Sequence, residues 1–170
     1  MSFEAQQITV AVADVDANNC LFYENMLQDV SEITLLRDAV SSGEVGEDYG
    51  PKKCRRLKPR TDISVHENVV ARIKRLKPLV VLVNMNLFSD EDQALLISVR
   101  RECADALIVL LVDDFVHETR LLQSLELGTR GYLKNGTAQF HLSKALQVVG
   151  RGDTWVPRSM LGNIMGRMLN

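Results

Sequence analysis

Five short aliphatic and β-branched runs, each followed by an amphipathic helical pattern, predict an α/β protein built on a doubly wound parallel sheet. Two observations carry that expectation. Ile8–Ala13 (ITVAVA), Leu79–Val83 (LVVLV) and Leu107–Val112 (LIVLLV) are apolar at successive positions, as strands covered by helices on both faces must be. These runs give way to Asp14, Asn84 and Asp113, so polar groups collect at the carboxyl ends of the strands, where open α/β sheets place their sites.

Taken in order, the first strand is Ile8–Ala13, and Ala17-Asn18-Asn19 supply turn and helix-capping chemistry. Leu21, Phe22, Met26 and Val30 follow at helical spacing. Ile33–Leu36 is a second strand. Val69, Ile73 and Leu76 mark one face of a helix that Pro78 closes. After Leu79–Val83, Ser89-Asp90 are placed to cap a helix carrying Leu96, Val99 and Cys103. Leu121, Leu122 and Leu125 mark the helix after Leu107–Val112, and Gly128 ends it. Gly131-Tyr132-Leu133 is the fifth strand, followed by a helix with Leu142, Ala145, Leu146 and Val149 that stops around Gly150–Gly152. Pro157 opens a last helix with Met160, Leu161, Ile164, Met165 and Met168 as its apolar stripe. Right-handed crossovers leave few topologies for this order, and a flavodoxin-like (βα)5 sheet with an extra C-terminal helix fits it.

The composition is that of an ordinary globular domain: 170 residues, 46% hydrophobic, 25% charged and a net charge of −2. Mean hydropathy is −0.03, and no apolar run approaches the roughly 18 residues of a membrane span. Met1–Gln7 lack the basic-then-apolar pattern of a secretory signal. Cys20, Cys54 and Cys103 have no metal-ligand spacing and no even count, so the expectation is a cytoplasmic protein with no disulfide framework, metal or cofactor. Neither a G-x-G-x-x-G nor a P-loop pattern occurs. His66, His117 and His141 are scattered and read as surface or cap residues.

Residues 41–64 break the regular pattern. Gly43, Gly46, Gly50, Pro51 and Pro59 argue for an irregular inserted loop, acidic at first (Glu44, Glu47, Asp48) and then basic from Lys52 to Arg60. The basic run could meet phosphates, but the nearby acids can neutralise it and no aromatic residue is interleaved for base stacking. Cys54 lies between Lys53 and Arg55, which favours its thiolate.

Three stretches carry a resemblance. Lys77–Leu87 (KPLVVLVNMNL), Glu126–Asn135 (ELGTRGYLKN) and Gly150–Leu161 (GRGDTWVPRSML) are similar to the third strand and phosphoacceptor turn, the fifth strand, and the start of the interdomain linker in response-regulator receiver domains of the LuxR/FixJ transcription-factor type. The resemblance implies a receiver-like domain over residues 1–152 and a linker helix over 153–170. It also implies a DNA-binding domain beyond Asn170. In that family a kinase phosphoryl group is transferred to an aspartate, with a magnesium ion, two acids, a hydroxyl and a lysine in support.

This sequence departs from that pattern at one position after another. Asn84 stands at the phosphoacceptor, and Val15 replaces the second acid after Asp14, with Asp16 displaced by one residue. The hydroxyl position falls at Leu111 or Val112, and a gapless match puts Asn135 at the lysine position, where a one-residue shift would instead bring Lys134. Tyr132 matches the family's switch aromatic. The expectation is a degenerate pocket of Asp14, Asp16, Asn84, Val112 and Asn135, without catalysis, in which Asn84 bonds Asp14 or a turn amide. The domain is then a homodimerising regulatory module of a transcription regulator. The alternatives are a stand-alone adaptor for another regulatory protein and a sensor of a nucleotide second messenger. For the latter, Trp155 and Arg158 match a W-x-[ST]-R cyclic di-GMP motif in which Pro157 replaces the hydroxyl residue; the other reading of Trp155 is packing of the linker onto the domain. Self-association is expected on Thr119–Leu127, Tyr132–Lys134 and Gln139–Val149, or on the last helix.

Overall fold

The most apolar runs take the middle of the sheet. The structure, a computed structural model, describes residues 6–37, 62–88 and 93–170. Its strands are β1 (Ile8–Ala13), β2 (Ile33–Leu35), β3 (Val80–Asn84), β4 (Leu107–Val112) and β5 (Gly131–Lys134), all parallel in the order β2-β1-β3-β4-β5. Every residue of β3 is buried, as the apolar LVVLV run requires of a central strand. The helices are α1 (Ala17–Leu27), α2 (Asp62–Leu76), α3 (Ala94–Glu102), α4 (Glu118–Glu126), α5 (Ala138–Gly150) and α6 (Arg158–Leu169). This is the flavodoxin-like doubly wound fold, with α6 added after the last crossover. None of these helices is long and apolar enough to cross a membrane.

The period of two divides the strands between two cores. Val10, Val12 and Leu82 face α1 and α5, where Leu27, Leu142 and Leu146 close over them. Val81, Val83 and Leu110 face the other way, toward Ile73 of α2, Val99 of α3 and Leu121 of α4. A fully buried aliphatic side chain contributes about 1.5–3 kcal/mol, so these two layers dominate the stability.

Several local expectations are corrected. The cap of α1 is Asp16, one residue before the Ala17–Asn19 stretch; its carboxylate accepts from Asn18 N at 2.8 Å. The buried face of α1 is Tyr23, Glu24 and Leu27, whereas Leu21 and Phe22 are exposed and Val30 lies beyond the helix. That rotation buries Leu27 in the core and brings the Tyr23 hydroxyl to Asn135. Glu24 is buried by it but forms an ion pair with Arg37 at 2.8 Å. α2 begins at Asp62, inside the stretch read as irregular, because Pro59 is the last breaker before it. The rest of that loop, with Cys54 and the basic run, lies outside the described residues.

α3 is capped at Gln93, in a left-handed conformation (φ 49°), and not at Ser89-Asp90, which lie outside the described residues. Gln93 is held there by its side chain: Nε2 donates to Arg120 O at 3.2 Å, and Oε1 accepts from Ser124 Oγ at 2.6 Å. Cys103 follows α3 as its C-terminal cap.

The free edge of β5 is covered by the chain that follows α5. Tyr132 N donates to Trp155 O at 3.1 Å, and Trp155 N donates to Arg130 O at 2.9 Å. Only a glycine allows this approach, since a Cβ on Gly131 would lie 2.2 Å from Trp155 O. Replacing Gly131 with Ala is therefore expected to push the Trp155 segment off the strand edge. The cost should be about 1–3 kcal/mol in chemical denaturation, with a red shift in the emission of Trp155, the single tryptophan.

Candidate functional site

The β1–β3 register pairs Ala13 with Val83, so the residues that follow, Asp14 and Asn84, emerge side by side. Asn84 is 5% exposed and begins a short 3₁₀ turn, Met85–Leu87. Its Nδ2 donates to Asp14 Oδ2 at 2.6 Å, and its Oδ1 accepts from Asn86 N at 3.1 Å. Asn86 Nδ2 donates to Asp14 Oδ1 at 2.8 Å, and Asp16 N donates to the same oxygen at 2.8 Å. The Asp14 carboxylate thus accepts three N–H groups, two from asparagine amides and one from the backbone.

Asn135 follows β5 and closes the other side. Its Nδ2 donates to Asp113 Oδ1 at 2.7 Å, and its Oδ1 accepts from the Tyr23 hydroxyl at 3.1 Å. Burial, and then the negative charges of Asp14 and Asp113, push the Tyr23 phenol above its ordinary value. Burial and Asp14 likewise raise the Cys20 thiol, which makes it a poorer nucleophile. Arg72 of α2 donates to Val12 O at 2.6 Å, supplying a donor past the short β2 strand.

The residues expected to form a pocket separate into distinct roles. Asp14 and Asn84 meet directly, whereas Asn135 bonds Asp113 and Tyr23. Asp16 turns its carboxylate to the start of α1. Val112 is buried in the apolar layer with Val83 and Leu110, so the hydroxyl position offers no polar atom. Tyr132 is 8% exposed within that same layer, and burial followed by the Glu118 charge raises its phenol. Lys134 is exposed at the end of β5. Trp155 and Arg158 lie elsewhere: Trp155 bridges to the β5 edge and packs on the α1–α5 core with His141 6.2 Å from its ring, and Arg158 is exposed in the first turn of α6.

Asp113 falls at a strand end that the sequence marks, but neither Asn86 nor Tyr23 is singled out by the sequence. The N-x-N spacing of Asn84 and Asn86 is a signal that could have found the former. Tyr23 had none, because only the rotation of α1 brings it to Asn135.

A divalent cation of the kind that receiver chemistry uses needs several converging oxygen ligands. Here the groups that bond Asp14 are three N–H donors, which already engage both of its oxygens. Among the described residues no group of three or more His, Cys, Asp or Glu is arranged to hold a metal.

The fold is that of response-regulator receiver domains. The RcsB response regulator of Salmonella typhimurium superposes with a TM-score of 0.65 at 14% identity, over 94% of this chain and 68% of that one. The isolated REC domain of RcsB from Salmonella enterica serovar Typhimurium, solved with phosphomimetic BeF3-, gives 0.63 at 16% identity, over 91% and 96%. A LuxR-family two-component response regulator from Aurantimonas sp. SI85-9A1 gives 0.67 at 11% identity, over 96% and 99%. No family model and no curated protein matches the chain.

Two variants test the site. Asn84→Asp would set a second carboxylate against Asp14, raising the pKa of the pair in the folded state. The folded state then binds more protons than the unfolded one, so stability should fall by about 1–3 kcal/mol as pH rises from 4 to 7, measured by urea denaturation. Tyr23→Phe should cost about 0.5–1.5 kcal/mol at neutral pH. It should also flatten the alkaline loss of stability: the raised Tyr23 phenol stabilises the fold below pH 10, and that contribution is lost as pH rises above the ordinary tyrosine value.

Proposed function

We propose that this domain is a receiver that works without phosphoryl transfer, as the regulatory and self-association module of a LuxR-type transcription regulator whose DNA contacts belong to a domain outside this chain. The observation that carries the reading is the Asn84–Asp14 bond at 2.6 Å. An aspartate at position 84 could attack a phosphodonor as a carboxylate, whereas the amide is already donating to the one acid that would help hold a cation. The hydroxyl position is apolar and buried, and Asn135 is committed to Asp113 and Tyr23. Nothing in that set neutralises a phosphoryl group.

Self-association through α4, β5 and α5 is supported by the charges on these elements. Exposed Glu118 and Glu126 lie on α4, and exposed Lys134 and Lys144 lie on β5 and α5, so a two-fold pairing can set opposite signs against each other. RcsB, of the same fold, has been solved as dimers bound to DNA. In this chain α6 offers only Arg158 and Arg167, too few cations for strong phosphate neutralisation.

Incubation with acetyl phosphate and magnesium should leave the intact mass unchanged. A stable phosphoryl adduct would overturn the reading. Asn84→Asp alone should gain little phosphorylation, because the other supporting groups are still missing.

A further inference from the structure

α6 is tied to the same elements that this reading assigns to self-association. Asn163 donates to Glu118 at the start of α4, and Arg167 pairs with Glu126 at its end, at 3.0 Å. Upstream, the Trp155 backbone is hydrogen-bonded along β5. Met160 is 4% exposed and lies in the core layer that holds Leu122 and Tyr132, with Val156 and Ile164 packed partly against it.

The attachment is nevertheless light. Of the α6 side chains only Met160 is buried, and an open groove of about 530 Å³ runs between α4 and α6. Gly162 and Gly166 line that groove, and a Cβ on either would touch nothing within 4 Å. Interior glycines each cost a helix about 1 kcal/mol relative to alanine. A short helix with two such residues, one anchor and exposed polar ties belongs to the part of a fold that opens before the rest. Its outer side carries Leu161, Met165 and Met168, all exposed.

We propose that α6 is a latch on the α4–β5 face: closed, it covers the surface around Leu122 and Tyr132 and limits self-association there, and its release frees that surface for a second copy of the chain. The proposal rests on the self-association reading above, and the phosphodonor experiment tests the other half of that reading separately.

Hydrogen exchange and sedimentation velocity on the whole chain test the latch. In the wild type, amides of residues 158–169 should exchange well before those of β3 and β4. Arg167→Glu sets like charges together and should speed α6 exchange about two- to fivefold, and the exchanged pair Glu126→Arg/Arg167→Glu should restore it. Met160→Asp should abolish α6 protection while β3 and β4 keep theirs within about twofold, and should lower the dimer Kd at least tenfold.

Loss of core protection in step with α6 in both Arg167→Glu and Met160→Asp would show α6 to be an integral part of the fold and overturn the latch. So would α6 release with unchanged self-association. Arg167→Glu is an exposed change that keeps the core intact, so the test does not depend on the folding of Met160→Asp.

Discussion

The in-register pairing of β1 with β3 is the constraint on which the rest of the site depends. Both strands are buried, their residues match position for position through Ala13 and Val83, and the chain must leave the sheet next at Asp14 and Asn84. A one-residue slip would turn every side chain of β3 to the opposite face, so the register is strongly enforced. A half-buried carboxylate and a buried amide are thereby held together at the carboxyl end of the sheet. The Asn84–Asp14 bond, the Asn86 tie and the helix start at Asp16 all follow from that placement.

The same end of the sheet gathers two further polar pairs, Asn135 with Asp113 and Asn135 with Tyr23. Each acid is met by a neutral donor instead of a second charge. Half-buried Asp14 and exposed Asp113 each have a hydrogen-bond donor on the carboxylate. Tyr23 couples α1 to the turn after β5, and Gln93 with Ser124 couples the start of α3 to α4. The helices around the site are therefore locked to one another by short polar contacts as well as by the two apolar layers.

α6 differs from those helices in kind. α3, α4 and α5 each bury at least two apolar side chains, whereas α6 buries Met160 alone and adds two polar ties to α4 and two interior glycines. The Trp155 segment gives it a firm root on β5, because the absence of a side chain at Gly131 lets the two backbones meet. α6 is thus rooted on β5 at one end and held against α4 by Met160 and two polar ties beyond it.

Much of this architecture was legible in the sequence because burial on both faces writes itself as uninterrupted aliphatic runs. The five strands, their order with the helices, and the polar residues at their ends follow from Ile8–Ala13, Leu79–Val83, Leu107–Val112 and the weaker runs between. The identity of the residue at position 84 was equally plain. Sequence could not decide rotation about a helix axis: Leu21 and Phe22 looked like the inner face of α1, and only packing against the sheet turned Tyr23 and Leu27 inward. Nor could it decide partners distant in the chain. Asn135 meeting Asp113 and Tyr23, Gln93 reaching Ser124, and α6 lying on α4 each depend on where separate elements come to rest. Local periodicity records which residues must leave water, whereas the assembled tertiary structure decides which polar groups meet.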